Sequence, residues 1–255
     1  MDTPLGVVLA AGLGTRMKSD LPKVLVPVLG RPMIDYVLDA LQQAAIRRVI
    51  VVVGYRAELV EGHLAGREGV SFVLQSERLG TGHAVKMAQP LLARHQGPVV
   101  VVAGDSPLLQ ASSVQALLSH FAQRRPACLL GTLHKADPRG LGRIVRDEQG
   151  AFVGIVEEKD ATPVQRQITE VNMSTYVFNA ADLCWALDHL RNDNRQREYY
   201  LTDCPGLLKA AGRVVDALPI LQSCEALSIN TPEELQWVEA EMHRLGYGPF
   251  SGASS

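Results

Sequence analysis

Short runs of aliphatic residues alternate with amphipathic segments of helix length over the first 135 residues, and this alternation limits the possible folds. The runs are continuous and rich in Val, Ile and Leu, which is typical of strands buried on both faces of a parallel sheet. The predicted strands are Gly6–Leu9, Arg48–Val53, Val70–Leu74, Val99–Ala103 and Cys128–Leu133. The predicted helices are Met33–Ala44, Ala57–Leu64, Gly82–Ala93 and Ser113–Gln123. This order predicts right-handed βαβ units and therefore an α/β fold with a Rossmann-like, doubly wound, mostly parallel sheet.

After about residue 138 strand patterns follow one another without long helices between them. They are Arg143–Val145, Phe152–Glu157 and Glu170–Phe178, and they predict a small mixed β lobe attached to the sheet. Helix patterns return at Leu201–Ala211 and Pro232–Leu245. Because no linker separates the parts, we predict a single domain. It would consist of a first lobe at about 1–135, a second at about 136–230, a C-terminal helix at about 232–245, an end near 247 and a tail at 248–255.

Composition excludes several classes of protein. A hydrophobic fraction of 47% is typical of a globular chain. The net charge of −2 gives no indication of the basic face that nucleic-acid binding requires. No apolar run approaches the roughly 20 residues of a membrane helix, and the start lacks the basic region of a signal peptide. The cysteines are too far apart for a zinc site and make a poor disulfide framework, so we expect reduced, structural thiols. They are Cys128, Cys184, Cys204 and Cys224. We expect a cytoplasmic protein that binds neither nucleic acid nor membrane.

A loop of small residues, Leu9–Met17, follows the first predicted strand. It contains Gly12 and Gly14, but neither the third glycine of a dinucleotide fingerprint nor the Gly-Lys-Ser/Thr of a Walker A loop. The backbone N–H groups of such a loop can approach a triphosphate closely, and Arg16 and Lys23 can neutralise its charge. A Gly-x-Gly alone would indicate only a tight turn. With both cations at this spacing, the pattern predicts a phosphate-binding loop.

Two further polar residues follow predicted strands. Asp105 follows Val99–Ala103, at the end where a doubly wound sheet binds its ligands, and a carboxylate there suits Mg²⁺. A turn or helix-capping aspartate is the alternative. Gln75 can both donate to and accept from the edge of a base. Asn230, before Thr231 and Pro232, is by itself typical of a helix start.

These residues also carry a family resemblance. The segments Ala10–Met17 and Leu21–Leu25 resemble the signature of the sugar-1-phosphate nucleotidyltransferases. The match continues in order through Gln75–Ala84, Gly104–Leu109, Gly140–Ile144, Ile155–Asp160, Glu170–Asn172, Glu198–Asp203 and Ile229–Asn230. It covers roughly residues 5–235 and looks most like the uridylyltransferase domains of bacterial N-acetylglucosamine-1-phosphate uridyltransferases.

The resemblance implies a nucleotide-diphospho-sugar transferase fold with a sugar-binding second lobe, and a Mg²⁺-dependent reaction of UTP with N-acetylglucosamine 1-phosphate. It implies catalytic roles for Arg16 and Lys23 and metal ligation by Asp105 and Asn230. The implied nucleotide-binding residues are Leu9, Ala10, Ala11, Gly12, Gly14, Thr15, Gln75, Gly80 and Thr81. The implied sugar-phosphate-binding residues are Gly142, Glu157, Asn172, Tyr200 and Thr202. Arg78 stands where other members can carry glutamine, and His83 is interpreted as structural.

Competing interpretations remain open. One is a nucleotidyltransferase of the same fold that acts on another sugar 1-phosphate, such as glucose 1-phosphate. The Glu170–Asn172 and Glu198–Asp203 segments argue against a molybdenum-cofactor or methylerythritol-phosphate enzyme. Another is a non-catalytic sugar-nucleotide sensor, which has no need of Asp105, Arg16 and Lys23 together.

The bacterial enzymes that the chain resembles usually continue into a left-handed β-helix that acetylates glucosamine 1-phosphate and forms trimers. No hexapeptide repeat follows Asn230. We therefore expect no acetyl transfer from acetyl-CoA, and a monomer or weak dimer. The sequence alone does not determine the sugar, the base or the oligomeric state.

Overall fold

The computed structural model describes residues 3–14, 17 and 19–249. Its strands are β1 Leu5–Ala10, β2 Pro27–Val28, β3 Arg31–Pro32, β4 Arg48–Val53, β5 Val70–Leu74, β6 Pro98–Ala103, β7 Cys128–His134, β8 Gly142–Arg146, β9 Phe152–Val156, β10 Glu170–Asn179 and β11 Val215–Leu218. Its α-helices are α1 Met33–Gln43, α2 Ala57–Leu64, α3 Thr81–Met87, α4 Gln89–Leu92, α5 Ala111–Arg124, α6 Ala180–His189, α7 Asp203–Ala210 and α8 Pro232–Arg244.

One sheet of nine strands organises the described part of the chain, with β11-β7-β10-β6-β1-β4-β5 as its main order. Strand β1 is parallel to both β4 and β6, and β4 is parallel to β5. Strand β11 is parallel to β7. Strand β10 is antiparallel to both β6 and β7. The prediction of an α/β fold with a mostly parallel sheet is confirmed.

Strand β10 belongs to two parts of the sheet. Its first residues pair with β8, which pairs in turn with β9, and both pairings are antiparallel, so the extension that was predicted as mixed is antiparallel. Its later residues run between β6 and β7. The register shifts between Asn172 and Thr175, and Ser174 at this bulge has a left-handed φ of 54°. The bulge re-aims the side chains around it, as bulges near functional sites commonly do.

Both faces of the sheet are covered, which explains why the strands are continuously apolar. Val100 and Val102 of β6 pack in one core cluster with residues of α1, α2 and α5. Val99 and Val101 pack in a second cluster with residues of α3, α6 and α7. Each fully buried valine contributes about 1.5–3 kcal/mol to folding. A third cluster joins α8 to the short β2–β3 hairpin.

Some elements differ from the sequence prediction. The single helix expected at Gly82–Ala93 is two helices, α3 and α4, which meet at Ala88 before Pro90. Helix α6 was not predicted, because it follows β10 directly without a glycine or proline to mark its start. Its start is instead capped by Asn179, whose side chain accepts hydrogen bonds from the backbone of the first turn. Strand β11, of four residues, was also not predicted.

The predicted tail extends into residues 250–255, which lie outside the described part of the chain. All four cysteines are free thiols. Among the described residues, no helix has both the length and the apolar character needed to cross a bilayer.

Candidate active site

A cavity of about 300 Å³ opens beyond the carboxyl ends of β1, β5 and β6. This is the edge at which doubly wound sheets bind ligands. Lining residues come from the ends of these strands and from the segments that follow them. These are Leu9, Ala11 and Gly12 from β1, Gln75, Arg78, Gly80 and Thr81 after β5, and Ala103 and Asp105 from β6.

The loop after β1 presents its backbone to the cavity. Gly12 is exposed, and no atom of the described residues lies within 4 Å of the place that a Cβ would take, so these residues leave the main chain open to a ligand there. Gly14 has a φ of +64°, and a Cβ at that position would lie 2.8 Å from Cβ of Lys23. Glycine is therefore required for Lys23 to pack against the loop. Ala10, in contrast, is buried in the core. Thr15 and Arg16 lie outside the described residues.

Lys23 brings together two side chains that are distant in sequence. Its ammonium group donates to Oδ2 of Asp105 and, at 2.9 Å, to Oδ1 of Asn230. Each residue is positioned by a different element: a 3-10 turn at Lys23–Leu25, the end of β6, and the start of α8. One carboxylate and one amide oxygen thus converge on a single positive charge.

The start of α8 fixes Asn230. Thr231 is the N-cap, and its Oγ1 accepts from the backbone N–H of Glu234 at 3.2 Å. The Glu234 carboxylate accepts in return from the backbone N–H of Asn230 at 2.6 Å and of Thr231 at 3.1 Å. The asparagine therefore precedes the helix cap, and its side chain oxygen faces Lys23.

Carboxylate and amide oxygens suit a hard divalent cation. In this structure they already contact one positive charge, the ammonium group of Lys23. The chemistry of Asp105 and Asn230 therefore fits a site for a divalent cation that keeps several other ligands. Within the described ranges no cluster of three or more His, Cys, Asp or Glu side chains could hold a metal by itself.

Gln75 is 5% exposed and lies at the inner wall of the cavity. Its Nε2 donates to the carbonyl of Gly80 at 3.0 Å and lies 3.2 Å from Nδ1 of His83. His83 therefore has a structural partner that the sequence did not reveal. Thr81, which begins α3, accepts from the backbone N–H of Leu201 at 3.1 Å.

The predicted sugar-binding residues form a second group beside the cavity. Gly142 and Asn172 face each other across β8 and β10, and a Cβ on Gly142 would lie 3.7 Å from Oε1 of Glu157. That oxygen accepts from Oγ1 of Thr202 at 2.9 Å. Tyr200, whose hydroxyl contacts Gln196 at 2.5 Å, lies two residues before Thr202. These residues are buried or half-buried and are not part of the cavity lining, although Ser174 and Glu198 are.

Burial changes the acidity of this second group. It raises the pKa of the Glu157 carboxyl, and the hydrogen bond from Thr202 opposes the shift. The pKa of Asp203 is raised to about 6 by burial and then by the charge of Glu157. Burial also raises the pKa of the Tyr200 hydroxyl.

Three polar lining residues had no role assigned from the sequence: Arg78, Ser174 and Glu198. Glu198 lies in a segment that carries the family resemblance, so a signal for it was present. Arg78 was noted only as a departure from the family pattern. Ser174 reaches the cavity because of the bulge in β10, and no sequence pattern indicates that bulge.

The site can be compared with known proteins. The family model described as "MobA-like NTP transferase domain" matches residues 6–200. "Bifunctional protein GlmU" of Listeria welshimeri is 45% identical over 230 residues, which are 90% of this chain and 50% of that protein. The protein of the same name from Enterococcus faecalis is 40% identical over 244 residues, or 96% of this chain and 53% of that protein. The chain thus spans about half the length of these curated relatives.

A solved structure of UDP-glucose pyrophosphorylase complexed with UDP-glucose superposes with a TM-score of 0.77 at 16% identity. The superposition covers 96% of this chain and 100% of that chain. At this identity the likeness concerns the fold.

Proposed function

Because the chain belongs to the MobA-like NTP transferase domain family, we propose that it transfers the uridylyl group of UTP to N-acetylglucosamine 1-phosphate and releases pyrophosphate. The convergence of Lys23, Asp105 and Asn230 at the edge of a cavity lined by the loop after β1 carries this proposal. The arrangement brings the positive charge of Lys23 and two oxygen ligands for a cation to the edge where a triphosphate would lie.

The reaction needs charge neutralisation more than acid or base catalysis. A sugar 1-phosphate already carries an ionised oxygen, which attacks the α-phosphate of UTP while pyrophosphate leaves. The enzyme must align these two anions and compensate their charge. Lys23, and Arg16 from the sequence prediction, supply positive charge. Asp105 and Asn230 would hold Mg²⁺, which supplies positive charge against the triphosphate and the departing pyrophosphate.

Gln75 is suited to read the base. Its Nε2 donates to the Gly80 carbonyl, so the group that it can turn toward an imide N–H is its Oε1 acceptor. Uracil offers such an N–H. We assign the neighbouring group of Glu157, Asn172 and Thr202 to the acetamido sugar, because a carboxylate accepts from ring hydroxyls and an amide can donate to them.

A matrix of the four nucleoside triphosphates and several sugar 1-phosphates tests the proposal, with pyrophosphate release as the readout. We expect UTP with N-acetylglucosamine 1-phosphate to react best. Because a site built on hydrogen bonds rejects ligands that lack them, kcat/KM with glucose 1-phosphate should be lower by about 10²-fold. Equal or better kcat/KM with glucose 1-phosphate would assign the chain to another sugar. If no pair of substrates released pyrophosphate, the interpretation as a non-catalytic sugar-nucleotide sensor would be favoured.

A further inference from the structure

Arg143 is a charged side chain buried in the interior, with 1% of its side chain exposed. It follows Gly142 directly in β8. Burial of the guanidinium group costs its hydration, so an ion pair that includes it gains little net stability relative to well-packed apolar residues. The contacts of Arg143 therefore indicate what the pair holds in place.

The guanidinium group joins two chain segments. It donates through Nη1 to the carbonyl of Leu141, and through Nη2 to Oε2 of Glu158 at 2.6 Å. The same Glu158 oxygen accepts from the backbone N–H of Gly140 at 3.3 Å. The hydrogen bonds from Arg143 hold the Glu158 carboxylate and lower its pKa. The ion pair thus ties the turn that begins at Gly140 to the residue after Glu157.

The backbone ladder does not make this connection. Strand β9 ends at Val156, which is paired with Arg143, so Glu157 and Glu158 lie beyond the last pair of the ladder. Their side chains have different partners: Glu157 accepts from Thr202, and Glu158 accepts from Arg143. While Arg143 holds Glu158, the side chain of Glu157 lies toward Thr202 and Gly142.

We propose that the Arg143–Glu158 ion pair is a positioning pair, which sets Glu157 against Gly142 and thereby determines the affinity for the sugar 1-phosphate. This inference rests on the proposed function. Neither residue needs to contact the substrate. Loss of the ion pair would move Glu157 away from the other sugar-binding residues and leave the cavity around Gln75 and Gly12 unchanged.

The chain offers a matched control in a second Arg–Glu pair on the same strand. Arg146 donates through Nε to Oε2 of Glu170 at 2.7 Å and through Nη2 to the carbonyl of Ala217 at 2.8 Å. This pair joins β8 to β10 and β11, and not to the segment that contains Glu157. A change at Glu170 therefore reports how much the loss of a comparable ion pair elsewhere on β8 lowers stability and alters the kinetics.

The test compares Glu158→Ala, Glu158→Gln, Arg143→Lys and Glu170→Gln in the full chain, with both substrates varied and melting temperatures recorded. Since small misplacements of binding groups are costly, we expect Glu158→Ala to raise KM for N-acetylglucosamine 1-phosphate about tenfold, with KM for UTP changed less than about twofold. Glu158→Gln keeps an acceptor for Arg143 and should show a smaller rise. Glu170→Gln should leave the ratio of the two KM values as in the wild type, even if it melts earlier.

The outcomes separate the inference from the function on which it rests. If the wild type transfers no nucleotide to the sugar phosphate, the proposed function is wrong and the inference falls with it. If the wild type is active but Glu158→Ala keeps the wild-type ratio of KM values, only the inference is overturned. Glu158 is half-exposed, so its variants decide the question even if Arg143→Lys does not fold.

Discussion

The ammonium group of Lys23 contacts oxygens of Asp105 and Asn230 at once, so a divalent cation that binds these oxygens must displace it. Lys23 then becomes available to the phosphates of a bound nucleotide. The same side chain would balance the negative charge of Asp105 before the cation binds and that of the substrate afterwards.

Substitution of Lys23 should therefore separate metal binding from turnover. Lys23→Met removes the competing cation, so the affinity for Mn²⁺ as a spectroscopic probe should rise by about fivefold or more. The kcat should fall by about 10²-fold, because the reacting phosphates lose a positive charge. Electron paramagnetic resonance titrations and steady-state kinetics measure the two effects. Asp105→Asn is the control, and it should lower both the affinity for Mn²⁺ and the kcat. A weaker Mn²⁺ affinity in Lys23→Met would contradict the competition.

Asp203 predicts a dependence of stability on pH. Its pKa of about 6 in the folded state lies above the ordinary value of 3.8, so the folded protein prefers the protonated acid. The contribution to stability is fully present below about pH 4 and is lost as the pH rises through 6. Asp203→Asn should therefore raise the free energy of unfolding at pH 7.5 by about 1 kcal/mol, since solvent screens this half-buried group, and should change it little at pH 4. Urea denaturation at both pH values measures this, and an equal effect at both would refute the assignment.

At the scale of elements, the turn before α3 and the segment before α7 are joined directly. The backbone N–H of Tyr199 donates to the carbonyl of Leu79 at 2.7 Å, and the N–H of Gly82 donates to the carbonyl of Tyr199 at 2.8 Å. The first segment carries residues assigned to the nucleotide, and the second carries residues assigned to the sugar. A change at this junction should therefore affect both substrates.

Gly82 is the position at which to test the junction. A Cβ there would lie 2.5 Å from Cδ1 of Leu190 and 2.9 Å from the carbonyl oxygen of Tyr199. Gly82→Ala should therefore lower the free energy of unfolding by about 1–3 kcal/mol and raise KM for both substrates. The control is Gly62→Ala in α2, where no atom of the described part of the chain lies within 4 Å of the added carbon and alanine favours the helix by about 1 kcal/mol. Urea denaturation and kinetics of both variants check this, and a rise in KM for only one substrate would contradict the coupling.

The sequence predicted those elements whose signal is local. Strands β1, β4 and β6 are continuous apolar runs because both their faces are buried, and the loops after them could be placed at the ligand-binding edge. The position of β10 in the middle of the sheet could not be predicted, because an antiparallel strand in this place depends on pairing with β6 and β7 rather than on its own pattern. Lys23 and Asn230 are 207 residues apart, so their contact has no local signal either. The family resemblance implied a role for each residue but not the hydrogen bond between them.

At the scale of the whole molecule, the last third of the chain is built into the sheet formed by the first part. Strand β10 lies between β6 and β7, and β11 extends the sheet beyond β7. Helix α8 packs on the β2–β3 hairpin near the N-terminus. The predicted division into two lobes therefore does not imply two separately stable units.

Unfolding should accordingly be a single cooperative transition. Far-UV circular dichroism follows all helices, while tryptophan fluorescence in Trp237→Phe follows Trp185 in α6 alone. Because α6 packs on the common sheet, both signals should change at the same urea concentration. Midpoints that differ between the two signals would show that the lobes unfold independently.

The insertion of β10 also has a consequence for the order in which the chain can fold during synthesis. When the ribosome has released the segment up to β7, the strand that separates β6 from β7 has not yet been made. Both strands then present unpaired backbone edges, which can pair with each other wrongly or with another chain. Only when residues 175–179 emerge can the two halves of the sheet join. The nascent chain therefore passes through an interval in which two apolar strands that end in the middle of the sheet lack the neighbour that covers their edges.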